Sequence, residues 1–112
     1  MSVNEDLMLL NRIHGLLGEP APGTAAPPLA TLEDTLTTGY AAVLELEAER
    51  LRLQRDIVLV VRKMSVVAAR THADEIRALE DRIARVDRRL ANLRAELIPL
   101  KQRVSKIRAL AA

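Results

Sequence analysis

The 112-residue sequence contains no cysteine, tryptophan or phenylalanine, so that Tyr40 is its single large aromatic side chain. Without cysteine the chain has no disulfide and no thiolate to serve as a nucleophile or a metal ligand. With one large aromatic ring it has few bulky side chains for a globular core. The lack of large side chains favours helices that pack along narrow apolar stripes, called seams below. The lack of cysteine fits a reducing compartment, so we expect a cytoplasmic protein.

Long apolar runs are missing as well. The longest extends from Ile57 to Val61, only five residues, whereas a membrane span needs about 20. Near the N-terminus the acidic Glu5 and Asp6 stand where a secretory signal carries basic residues. We therefore expect no membrane span and no export by the general route. Arginine outnumbers lysine by fourteen to three, which hints at a high-GC, bacterial genome.

The strongest positive signal is a pair of stretches in which apolar residues recur at alternating steps of three and four. The second stretch, from Ile76 to Ala111, has no interruption, and the first, from Leu29 to Val67, is broken only at Gly39 and Arg50. This spacing, sustained over several heptads, is typical of coiled-coil helices. We predict an all-α fold in which two long helices form an antiparallel coiled-coil helical hairpin.

Capping and linker signals divide the chain into three parts. Ser2 with Glu5 forms a capping box ahead of an amphipathic helix, and a run containing four prolines follows it. No Gly or Pro separates the two long helices, and we expect their break near Thr71 or His72. The predicted parts are a short amphipathic helix over 1–18, with Val3, Leu7, Leu10, Ile13 and Leu17 on one face, a Pro/Ala-rich linker over 19–30, and a hairpin over 31–112 with helices at about 32–70 and 74–110.

The two seams lie on opposite sides of one continuous helix, so the chain has to fold back on itself. Pairing residues whose numbers sum to 143 matches the seams layer by layer. That register places Gly39 opposite Val104, where it makes a thin layer, and brings Glu47 near Lys101. Arg50 then faces the core, where we expect its charged end to reach outward.

A row of apolar residues beside the seams is not used by the hairpin. We predict that it forms an interaction flank, because such faces are normally covered. Two occupants fit: a second copy of the chain, giving a four-helix bundle, or the N-terminal helix folding back. The flank consists of Tyr40, Leu44, Leu51, Val58 and Val61 on the first helix and Ala84, Ala91 and Ile98 on the second.

No catalytic, metal-binding or cofactor-binding pattern is present in the sequence: there is no Gly-rich phosphate loop, nucleophile elbow or HExxH spacing. We expect a non-enzymatic adaptor, scaffold or regulator that needs no cofactor and binds itself, an unidentified protein, or both. An alternative function is nucleic-acid binding, because basic residues accumulate at the C-terminal end. These are Lys101, Arg103, Lys106 and Arg108.

Overall fold

A computed structural model describes residues 3–18, 28–64 and 68–111. These residues form three α-helices and no strand: α1 over Val3–Gly18, α2 over Leu29–Lys63 and α3 over Ala69–Ala111. The all-α prediction is therefore confirmed for the described part of the chain. Most of the predicted linker, residues 19–27, lies outside the described residues.

Both long helices begin earlier than predicted, and α2 also ends earlier. α2 starts at Leu29, inside the expected linker, and the Pro28 carbonyl accepts hydrogen bonds from the N–H groups of Thr31 at 3.0 Å and Leu32 at 3.3 Å. Proline suits this place because its fixed φ is compatible with a helix start and it has no N–H to satisfy. α2 ends at Lys63, where the next residue is extended.

The predicted break at Thr71 or His72 is wrong, since both residues lie in the first turn of α3. The His72 N–H donates to the Ala68 carbonyl at 3.0 Å. The positions of the two seams around the helix require only that the chain reverses somewhere between the last apolar residue of the first seam and the first apolar residue of the second. No Gly or Pro between them indicates where the reversal occurs. Pro99 does not end α3, which continues to Ala111.

α2 and α3 lie side by side and run in opposite directions. As residue numbers rise along α2, their ion-pair partners fall along α3: Glu33 contacts Arg108 at 3.0 Å, whereas Arg50 contacts Asp87 at 2.7 Å. The seam positions carry the core. The apolar residues buried at seam positions are Leu32, Val43, Leu46 and Leu53 on α2 and Val86, Leu90, Leu93, Leu97, Leu100 and Val104 on α3, and Ala42 beside the α2 seam is buried as well.

The layer at Gly39 differs from the predicted register by one heptad. An ideal Cβ on Gly39 would lie 3.3 Å from Cγ of Leu97 and closer still to its Cδ2, whereas the predicted pairing puts Val104 there. The seven-residue repeat explains this difference. Sliding one seam by a heptad still sets apolar residues against apolar residues, so the pattern alone does not select the register.

α1 packs along the other two helices, parallel to α3. Ile13 is completely buried and Leu9 nearly so, whereas Leu7, which we expected on the buried face, is 53% exposed. α1 is therefore rotated from the predicted orientation. It contacts only the half of the molecule that contains the N-terminal part of α2 and the C-terminal part of α3.

The molecule is elongated as a result. Its dimensions are 69 × 23 × 16 Å, and its radius of gyration is 19.6 Å, compared with about 13 Å for a compact domain of this length. The long dimension matches the 43 residues of α3, which span about 65 Å at 1.5 Å each. One end is three helices thick, and the end that contains the α2–α3 connection has only two.

Candidate interaction surface

Leu44, Leu51 and Val58 form an exposed line along α2, which we call the α2 row. They are 66%, 53% and 47% exposed. Their seven-residue spacing corresponds to almost two full turns, so that all three point to the same side of the helix. Tyr40 and Val61 are also exposed beside the row. Contiguous apolar surface of this kind marks interaction sites on proteins.

On α3 the predicted flank residues are exposed too, but they are smaller. Ala84 and Ala91 are exposed, and Ile98 is the one large apolar side chain among the three. All eight predicted flank residues therefore lie at the surface of the described chain. The apolar area is concentrated on α2.

The N-terminal helix does not cover the α2 row. α1 occupies the groove on the other side of the seam, where Leu9 and Met8 lie beside Ala42 of α2. The helical repeat puts Ala42 and Glu49 on one side of the core positions and Tyr40 and the row on the other. The sequence allowed either a second copy or α1 to cover the flank. In the structure α1 packs on the opposite side of the seam and does not cover it.

Ion pairs join α2 to α3 on the side that carries the row, and two of them lie beside it. Arg94 donates to the Glu47 carboxylate, and Arg50 donates through Nε to Asp87 at 2.7 Å. The Glu47 partner lies seven residues before the predicted Lys101, the same one-heptad shift as in the core. Arg50 is half-buried and carries its guanidinium out to a carboxylate, as expected for a long side chain at a core position.

Charge is separated along α2. Positions 29–49 hold five acidic residues and no basic one, whereas positions 50–63 hold five basic residues and one acidic residue. The acidic half lies beside the basic C-terminal half of α3. The basic half lies beside a stretch of α3 with nearly balanced charge, so the two-helix end has a positive excess.

A buried ion pair fixes α1 in its groove. Arg89 donates through Nε to Asp6, whose side chain is only 6% exposed. The hydrogen bond to Asp6 raises the pKa of Arg89 above its ordinary value, against the opposing effect of burial. Glu49 of α2 also approaches Arg89, at 4.0 Å. The sequence pattern does not single out Asp6, because an acidic residue in the first turn of a helix is usually exposed to solvent, where it interacts favourably with the helix dipole.

Further along α1 the polar contacts are more exposed. His14 Nε2 lies 2.7 Å from Glu96, and Arg103 donates to the Leu17 carbonyl at 2.7 Å. The second contact satisfies one of the carbonyls that a helix leaves unpaired at its C-terminus. These contacts hold the length of α1 parallel to α3.

The basic C-terminal cluster is partly occupied by intramolecular contacts. Arg103 binds α1, and Arg108 pairs with Glu33 at 3.0 Å. Lys101 and Lys106 are exposed and line a shallow cavity together with apolar residues. Two of the four predicted cations therefore act in holding the helices together, which reduces the charge presented to an external anion.

Among the described residues, no group of three or more His, Asp or Glu side chains is arranged to hold a metal ion. None of the described helices is long and apolar enough to cross a membrane. No protein-family model matches the chain, and neither the curated proteins nor the solved structures contain a match.

Proposed function

We propose that this chain is a non-enzymatic protein-interaction module, a coiled-coil helical hairpin that associates with a second copy of itself through the α2 row. One observation carries the proposal: Leu44, Leu51 and Val58 remain about half exposed or more even though α1 packs on the same helix pair. An apolar stripe that persists after the chain has folded is suited to intermolecular contact. The protein would act as an adaptor, scaffold or regulator in the cytoplasm, a location that the lack of cysteine supports.

The strength of this association follows from the surface involved. Burying the exposed half of a Leu or Val side chain contributes on the order of 1 kcal/mol. Counting Tyr40 and Val61 with the row, two chains together would gain about 10 kcal/mol, which is comparable to the 4–15 kcal/mol cost of association. We therefore expect reversible association that depends on concentration, rather than a permanent dimer.

The test is the triple variant Leu44→Gln, Leu51→Gln, Val58→Gln, studied by sedimentation velocity. We expect it to remain helical and to sediment as a monomer at concentrations where the wild type associates. The matched control replaces Leu7, Met8 and Leu59 with Gln, since these side chains are similarly exposed but lie off the row. Loss of association in both triple variants would show that general hydrophobicity, and not the row, causes it.

The alternative proposal, nucleic-acid binding, rests on the exposed Lys101 and Lys106 at the basic C-terminal end. Phosphate contacts make affinity fall steeply with salt. The variant Lys101→Gln, Lys106→Gln should then weaken binding to a generic DNA duplex and flatten its salt dependence. Binding that is absent at low salt, or unchanged in this variant, would rule out the alternative.

A further inference from the structure

We infer that two copies pair antiparallel through α2, with a two-fold axis that passes beside Leu51. This inference rests on the proposed self-association and specifies its geometry. In this arrangement the α2 row of one copy covers the α2 row of the other. Three features of α2 lead to this arrangement: the symmetry of the row, the residues that flank it and the distribution of charge.

The row is symmetric about its middle member. Leu44 and Val58 are each seven residues from Leu51, so an antiparallel copy related by a two-fold axis at Leu51 brings Leu44 opposite the partner's Val58. Leu51 then meets the partner's Leu51. Sliding the copies by one heptad would leave at least one exposed side chain of each row without a partner. The two-fold register therefore buries the most apolar surface.

The flanking positions obey the same symmetry. In an antiparallel pair the same side of each helix meets, and on one side of the row lie Tyr40, Glu47, Gln54 and Val61. The two-fold register sets Tyr40 against the partner's Val61, and Glu47 against the partner's Gln54. The first pair is apolar, and in the second an amide can donate to a carboxylate. Neither pair places like charges together.

α2 is the contact helix because the equivalent positions of α3 are polar. Its heptad positions on this side carry two acidic and three basic residues, and the row itself is mostly alanine. Burying such a surface would remove ionised groups from water with little apolar gain. The charged positions are Glu80, Asp87, Arg94, Lys101 and Arg108.

The charge distribution selects the direction. α2 carries five of its six acidic residues before position 50 and all five of its basic residues from there onward. An antiparallel copy places the acidic half beside the basic half, whereas a parallel copy places like charges side by side along the whole contact. Electrostatic complementarity of this type sets orientation and register.

Single-cysteine variants of the full chain test this geometry, because the wild type has no cysteine. All three sites, Tyr40, Leu51 and Val61, are exposed, so substitution should leave the fold intact. Disulfides require Cα atoms within about 7 Å. Under mild oxidation Leu51→Cys should form a disulfide-linked dimer with itself, whereas Tyr40→Cys should not, since two-fold symmetry separates the two copies of residue 40 by about 33 Å.

A mixture of Tyr40→Cys and Val61→Cys should form the mixed dimer. The control Ala91→Cys, on α3, should remain uncrosslinked. Efficient self-crosslinking at residue 40 as well as residue 51 would mean a parallel pair, and crosslinking at residue 91 alone would move the contact to α3; either result overturns the inference while self-association stands. A wild type that stays monomeric in sedimentation overturns the proposed function itself.

Discussion

Replacing Gly39 with alanine tests the packing between α2 and α3 at the layer where sequence and structure differ. In an open helix, Gly→Ala stabilises by about 1 kcal/mol. At Gly39, however, the added methyl would overlap Leu97, which is itself buried in the core. Overpacking of this kind costs about 1–3 kcal/mol. We therefore expect Gly39→Ala to be neutral or to destabilise the chain by up to about 2 kcal/mol.

Gly15 provides the matched control. It is a helical glycine with nothing within 4 Å of an added Cβ, so Gly15→Ala should stabilise by about 0.5–1 kcal/mol. Urea unfolding followed by circular dichroism, at one fixed protein concentration, gives both values. A fixed concentration matters because self-association itself contributes to apparent stability.

The double variant completes the test. Leu97→Ala alone should cost about 2–5 kcal/mol, and adding Gly39→Ala in that background should recover about 1 kcal/mol. The resulting coupling between the two sites is about 1–3 kcal/mol, as expected for residues in direct contact. If Gly39→Ala stabilises the wild type as much as Gly15→Ala does, Leu97 does not face Gly39 and the register is wrong.

Two further changes examine the core and the docking of α1. Leu90→Ala removes a buried central side chain and should cost about 2–5 kcal/mol in urea unfolding; a loss no larger than that of the exposed Leu44→Ala would contradict its burial. Asp6→Asn removes the charge that faces Arg89 and should weaken α1 docking by about 1–2 kcal/mol. Hydrogen exchange should then accelerate about tenfold in α1 amides and not in α3, and unchanged α1 protection would refute the role of this pair.

The sequence predicted most of the buried residues of α2 and α3 but not their exact partners. Leu46 and Leu93 are buried as their heptad positions require. Which layer faces Gly39 depends on side-chain volumes, since Leu97 and Val104 both continue an apolar seam. A pattern that repeats every seven residues cannot distinguish two alignments that differ by seven.

The orientation of α1 was also beyond the sequence pattern. Leu7, Leu9 and Leu10 are all apolar, so more than one face of the helix can be buried. The structure buries Leu9 and brings Asp6 to Arg89, a contact between residues 83 positions apart. The face of α1 that is buried is determined by the groove between α2 and α3, which forms only when the chain folds. The exposure of the α2 row, by contrast, was predictable, because apolar residues at heptad spacing that the seams do not use can be identified from the sequence alone.

Sedimentation equilibrium of the wild-type chain, over a wide range of concentration, shows directly whether the α2 row joins two copies. If it does, the average mass should rise from the 12.4 kDa of one chain toward twice that value. The triple variant of Leu44, Leu51 and Val58 should stay at the mass of one chain throughout. A wild type that remains at 12.4 kDa at every concentration, or a triple variant that associates equally well, would contradict the claim that the α2 row joins two copies.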